Sequence, residues 1–381
     1  MINETDRQET ALSELIKRVG EPDRAAMDAA KKRQAMLAKP PGSLGRLEEL
    51  SVRLAGITGR VNNVFNEKHI IVFCADNGVV SEGVSSAPQS VTLAQTVNLA
   101  RGKTGAAVLA RRFGCKLRVC DVGVNADIDD PGVIPRKIAY GTQNIAETAA
   151  MTRLQAVRAL LIGAELAGSS ADAGAAVIGV GEMGIGNTTT SSAVLAVLTS
   201  SPVEDVTGRG GGLTDEAYAK KISVIKRAID VNRPDPEDIV DVLAKVGGFD
   251  LAAMTGAFIG AAAARVPAVI DGFISAVAAL CSVRLCPNVR HFLVPSHASY
   301  EIGFSKITDE LGLKPFFDFG MRLGEGSGCP RSMMMIDAAA AVINDMATFE
   351  EANINDSYLD GIRETDAFTV RADRDDERTI K

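Results

Sequence analysis

Short continuous apolar runs alternate along most of this chain with longer stretches in which apolar positions recur every three or four residues. The first pattern predicts strands buried on both faces, and the second predicts helices packed against them. Strands are expected at 69–75, 116–122 and 175–180, with shorter ones at 134–140, 267–270, 291–294 and 315–319. Helices are expected at 90–100, 105–113, 152–167, 234–246 and 332–346. Others start after Gly186, at Thr214 with Lys220 and Lys221 on it, and at Gly247-Gly248. Strands alternating with helices over about 250 residues indicate an α/β fold with a mainly parallel sheet. Before the first strand the pattern is purely helical, at 12–19, at 23–37, and up to about Gly56 with Leu44, Leu47, Leu50 and Leu54 on one face. Pro40, Pro41 and Gly42 stop the second of these helices, and Ser43 is placed to cap the third. The expected organisation is a small helical domain from residues 1–60 plus 331–365, an α/β domain at 61–330, and a charged tail at 366–381.

Composition narrows the function. The chain is 46% hydrophobic and 23% charged, ordinary for a globular protein. A net charge of −7 argues against nucleic acid or an anionic membrane as partner. Aromatic residues make up 4% with no Trp, too few for a base-stacking surface. The longest apolar region, 251–283, is broken by Arg265, Pro267 and Asp271, so it is not a membrane span. The first residues lack an apolar signal core. Six cysteines without a CxxC spacing and only three histidines give no zinc constellation and point to a reducing cytoplasm. No metal and no cofactor are expected.

The loops that follow the strands carry the candidate chemistry, because in an open parallel sheet they share one edge and one crevice. The stretch FFDFGMRLGEGSG, 316–328, sets one carboxylate, Glu325, between Gly324 and Gly326. Glycine lets a ligand approach the backbone closely. Crowding in a closed crevice desolvates such a carboxylate and makes it a better base near neutral pH. An exposed turn with a solvated Glu fits the local pattern equally well. GEMGIGNTTTSS, 181–192, has glycines and a hydroxyl run opening a helix, which suits a phosphate. It is no Walker motif. Gly179 to Gly184 does satisfy GxGxxG as text, but a dinucleotide site needs an acidic residue about 20 positions on that follows another strand, and the stretch after Gly186 is helical. VTGRGGG, 206–212, adds Arg209 and a second anion-friendly loop, whereas ADNGVVSEGVSSAPQ, 75–89, has the polar groups to read a heterocycle edge. His291 and His297 suit structural or substrate-orienting roles, and no GxSxG elbow marks a serine hydrolase.

Taken in order, KPPGSLGRLEEL, the ADNGVVSEGVSS loop, GEMGIGNTT, GRGGGL, the Gly-Gly-Phe run, DGF, PSH and MRLGEGSG give the chain a family likeness from about Lys39 to Ala340. It resembles the nicotinate-nucleotide:dimethylbenzimidazole phosphoribosyltransferases of cobamide lower-ligand assembly. The resemblance implies a Rossmann-like doubly wound sheet with a small helical domain from both chain ends, acting as a homodimer. It implies transfer of the 5-phosphoribosyl group of nicotinate mononucleotide to 5,6-dimethylbenzimidazole with anomeric inversion. Glu325 matches the family's base. Glu182, Met183, Gly184 and Lys221 match the residues for the mononucleotide and its phosphate, and Ser81, Gln89 and Leu323 match those for the lower-ligand base. Two departures stand out. Asn77 replaces a common His after the first-strand Asp and cannot relay a proton, and the loop at Ser85, Ser86 and Ala87 lacks an aromatic residue. The alternatives are a phosphoribosyltransferase for phenolic or purine bases and a non-catalytic protein that binds mononucleotides or benzimidazoles.

Overall fold

A computed structural model of the chain describes residues 4–363. The charged tail expected at 366–381 lies outside the described residues. Six strands form one sheet: β1 Lys68–Ala75, β2 Cys115–Gly123, β3 Val133–Pro135, β4 Val177–Met183, β5 Ala268–Ile270 and β6 Leu293–Pro295. Their order is β3-β2-β1-β4-β5-β6, and every neighbouring pair is parallel. The chain winds outward from the centre in both directions, so the crossover direction reverses between β1 and β4. A crevice opens beyond the carboxyl ends of these two strands.

Alternation along β1 explains the layers. Ile71, Phe73 and Ala75 enter one core, with the helices Arg153–Asp172 and Phe249–Ala263. Ile70, Val72 and Cys74 enter another, with residues from Ser90–Ala100, Gly105–Arg112 and Cys329–Asp345. Both faces are covered, which is why the strand reads as an unbroken apolar run. Helix Phe249–Ala263 is buried almost all round, and its Gly256 meets Leu160 backbone so closely that an added Cβ would lie 1.8 Å from the carbonyl oxygen. This close approach accounts for the small residues on both helices.

Helices Arg24–Met36, Arg46–Thr58 and Cys329–Asp345 share a third core of Ala26, Met27, Ala30, Val52, Ala55 and Ile343. The first helix, Glu4–Lys17, adds Leu12 to the large core instead. Asp23 caps Arg24–Met36 by accepting from Ala26 N–H at 2.9 Å. Ser43 caps nothing. Helix Arg46–Thr58 starts after Gly45, and Glu48 reaches back to accept Leu44 N–H at 2.9 Å while pairing with buried Lys39 at 2.8 Å.

The strand expected at 315–319 forms only an isolated parallel bridge, His297 to Phe317. Pro315 has no N–H to offer a ladder, and Phe319 is exposed, so the segment follows the sheet edge without joining it. The strand expected at 291–294 is shorter and later, because 287–292 winds into a 3₁₀ turn first. All six cysteines are buried and free. Among the described residues, no helix is long and apolar enough to cross a membrane.

Candidate active site

The crevice at the β1/β4 edge encloses about 870 Å³, including the solvent at its mouth. Glu182, Met183 and Gly184 line it, together with Asn187 and Thr188. Strand β4 runs three residues further than its apolar stretch suggests, so Glu182 and Met183 lie on the strand and not in the loop after it. Gly186, with φ 95°, then turns the chain into helix Asn187–Thr199 with no side-chain cap. The first N–H groups of that helix therefore face the crevice, an arrangement that favours an anion.

Gly210 and Gly211 also line the crevice, with Gly210 close beside Thr188. Lys221, from helix Asp215–Asn232, is fully buried, and its ammonium donates to Thr188 Oγ1 at 2.9 Å and to Gly208 O at 3.1 Å. One lysine thus ties the two glycine-rich loops together. Burial pushes its pKa down to about 8, and the nearby Glu301 opposes that shift. Glu301 also lines the crevice; burial raises its pKa, and one of its oxygens has no hydrogen-bond partner among the described residues. Arg209 turns away from the crevice. It pairs with Asp215 at the surface and stacks over the Tyr218 ring.

Three carboxylates are buried around these loops, and two of them, Glu182 and Asp271, line the crevice. Asn187 Nδ2 donates both to Glu182 and to Asp250, the latter at 3.0 Å. Burial, then the charge of Asp250, pushes Glu182 up to about 8. Burial raises Asp250 to about 6 and Asp271 to about 7. Asn77 is fully buried and packs against Gly184, Gly248 and Asp250 behind the wall, without lining the crevice.

Glu325 is held in a left-handed conformation, φ 64°, between Gly324 and Gly326, each at φ 80°. Its carboxylate is buried and turned toward helices Ser90–Ala100 and Gly105–Arg112. There it accepts from Gln95 Nε2 at 3.3 Å and from Ala106 N–H at 3.4 Å. Burial raises its pKa, partly offset by the hydrogen bonds from Ala106, Thr104 and Gln95. Leu323 and Gly324 line the crevice, and Glu325 sits just behind them. Leu323 lies over Gly105, where an added Cβ would come within 2.8 Å of Leu323 Cδ2. Arg322 stacks over Tyr300.

A Cβ on Gly324 would meet Glu182 Oε1 at 2.3 Å, at a φ that side chains avoid. Gly324→Ala is therefore expected to lower stability by about 1–3 kcal/mol, read from the denaturant midpoint. An unchanged midpoint would show that this loop does not rest on Glu182.

The residues expected for a lower-ligand base come together only in part. Leu323 lines the crevice, but Ser81 donates to Gly78 O at 2.9 Å within a 3₁₀ turn and Gln89 begins helix Ser90–Ala100; neither lines it. Ser85, Ser86 and Ala87 of the same loop do. His297 lines it too, with Nδ1 3.1 Å from Ser296 Oγ and its pKa pushed down to about 4 by burial, so it is neutral at pH 7. His291 lies in the 3₁₀ turn before β6, away from the crevice. Asp271 and Asn187 stand within motifs the sequence displays, whereas Gln95, Thr104 and Glu301 carry no local signal. Among the described residues, no group of three His, Cys, Asp or Glu is arranged to hold a metal ion.

A family model described as phosphoribosyltransferase matches residues 19–354. The nicotinate-nucleotide–dimethylbenzimidazole phosphoribosyltransferase of Ruminiclostridium cellulolyticum is 51% identical over 341 residues, 90% of this chain and 97% of the relative. The protein of the same name from Clostridium perfringens (strain 13 / Type A) is 48% identical over 359 residues, 94% of this chain and 99% of the relative. The crystal structure of CobT from Thermus thermophilus matches with a TM-score of 0.84 at 39% identity, covering 87% of this chain and 99% of that one.

Proposed function

Because this chain belongs to the nicotinate-nucleotide–dimethylbenzimidazole phosphoribosyltransferase family of pentosyltransferases, we propose that it moves the 5-phosphoribosyl group of nicotinate mononucleotide to 5,6-dimethylbenzimidazole. The products are α-ribazole 5′-phosphate and nicotinate, as cobamide lower-ligand assembly requires. The observation that carries this reading is Glu325. It is a buried carboxylate with a raised pKa, set directly behind two residues of the wall of a crevice that the start of helix Asn187–Thr199 and Gly210-Gly211 also line.

In the proposed reaction the phosphate lies between the start of helix Asn187–Thr199, Gly210-Gly211 and Lys221. The benzimidazole lies against Leu323. Its N3 lone pair attacks C1′ from the α face while Glu325 takes the proton from N1. The C1′–pyridinium bond breaks on the opposite face, and its electron pair neutralises the ring nitrogen of the leaving nicotinate. The leaving group already carries its positive charge, so it needs no proton, and a single displacement inverts the anomeric centre. One base, one phosphate site and one apolar slot are sufficient, with proton transfer contributing typically ~10²–10⁴-fold and orientation adding to it.

The test is incubation with nicotinate mononucleotide and a panel of benzimidazoles, purines and phenols, followed by chromatography for free nicotinate and α-ribotide. Benzimidazoles are expected to give both products. Product with phenols or purines alone would move the assignment to another acceptor class. Binding without product for any acceptor would leave a binding protein and end the transferase assignment.

A further inference from the structure

We propose that Asp271 is a positioning residue for the reaction, aiming the Glu325 carboxylate through the backbone of its loop. The proposal rests on Glu325 being the base. Asp271 follows β5 and is buried, and the two oxygens of its carboxylate each take one N–H from the loop that carries Glu325. Oδ2 accepts from Gly326 at 2.9 Å and Oδ1 from Gly328 at 2.6 Å. Asp271 is itself fixed from two sides. Its N–H donates to Ser275 Oγ at 3.1 Å, and its carbonyl accepts from Ser296 Oγ at 2.5 Å. Ser275 is anchored in turn on the Val180 carbonyl of β4 at 2.8 Å. The grip on Glu325 therefore reaches back into the sheet.

That grip matters because Glu325 holds a backbone conformation its side chain disfavours, with φ 64°. Such a conformation persists only where the surroundings determine it. The carboxylate end of Glu325 is held by long hydrogen bonds from Gln95 at 3.3 Å and Ala106 at 3.4 Å, with Thr104 as a further partner, and its direction is set by the backbone. Gly326 is pressed against Gly181 of β4, where an added Cβ at Gly181 would lie 2.3 Å from Gly326 N. With that contact behind it and the two Asp271 bonds ahead, the Cα–Cβ vector of Glu325 has one setting. Asp271 lines the crevice, but both its carboxylate oxygens are taken up by the Gly326 and Gly328 N–H groups, so its effect passes through the loop of Glu325.

The experiment is a double-mutant cycle of Asp271→Asn with Glu325→Gln in the full chain, reading kcat and KM for both substrates. Asp271→Asn alone is expected to lower kcat by about 10²-fold, the scale of a misplaced reacting group, with both KM values within about threefold of the parent. On top of Glu325→Gln, the same substitution is expected to change kcat by less than about threefold, because residues acting as a unit are not additive. A full multiplicative loss in that background, an unchanged kcat, or a loss confined to KM overturns the proposal. Thermal melting checks folding. If the Asn variant is unfolded, Asp271→Ser carries the same cycle, and failure of both to fold assigns Asp271 to stability and overturns it as well. Wild-type kcat in Glu325→Gln alone would instead reject the base, a separate outcome.

Discussion

Glu325→Gln lowers turnover by about 10²–10⁴-fold and leaves the KM for nicotinate mononucleotide and for the benzimidazole nearly unchanged. The substitution keeps the length and shape of the side chain. A glutamine amide oxygen still accepts the Ala106 N–H, and a rotated Gln95 amide still meets its partner. The fold and the substrate sites therefore survive while the proton acceptor is lost. Equal losses in kcat and in affinity would show a binding role, and a kcat near wild type would remove Glu325 from the chemistry. The pH profile gives an independent check. A base must be deprotonated to act, and burial raises the Glu325 pKa. The acid limb of kcat/KM is thus expected above the ordinary carboxylate range, with activity falling as pH drops through the raised value. In the Gln variant this limb is expected to disappear.

The doubly wound sheet is legible in the sequence because both faces of β1 and β4 are covered, which writes them as unbroken apolar runs. Less legible is where such a run ends. Glu182 belongs to β4 although its side chain is polar, since its carboxyl group is buried and bonded to Asn187. At 315–319 the reverse holds. The run has strand composition, but it lies along the sheet edge with Phe319 in solvent and forms one bridge.

The glycine-rich loops are equally legible, because their spacing is local. Which side chains in them face the ligand is not. Arg209 has the charge for the crevice but finds Asp215 at the surface. Lys221 sits on an ordinary-looking helix yet is fully buried between two loops. The partners of the Glu325 carboxylate, Gln95 and Ala106, lie more than 200 positions away in sequence, so no local pattern reports them. Ser81 shows the same limit from the other side. Its hydroxyl bonds within its own turn, which a motif match does not reveal.

Lys221→Met raises the KM for nicotinate mononucleotide by about 10–100-fold, the scale of a lost hydrogen bond to a charged group of about 1.5–3 kcal/mol. The KM for the benzimidazole is expected to stay within about twofold, because in the proposed arrangement that substrate lies against Leu323 and not beside Lys221. Met keeps most of the buried stem and removes an ammonium whose burial is unfavourable, so folding is expected to survive the change. The pH dependence carries the sign. With its pKa pushed down to about 8 by burial, Lys221 in the free enzyme loses its charge as pH rises through that value. Mononucleotide KM is therefore expected to climb on the alkaline side of that value in the parent protein. A phosphate dianion bound beside Lys221 would favour the charged lysine and move the corresponding limb of kcat to higher pH. In Lys221→Met no group titrates at that position, and this alkaline rise in KM should vanish. If KM is unchanged by the substitution, or the alkaline rise persists in the Met variant, the phosphate is held elsewhere, and the lysine between Thr188 and Gly208 only braces the two loops.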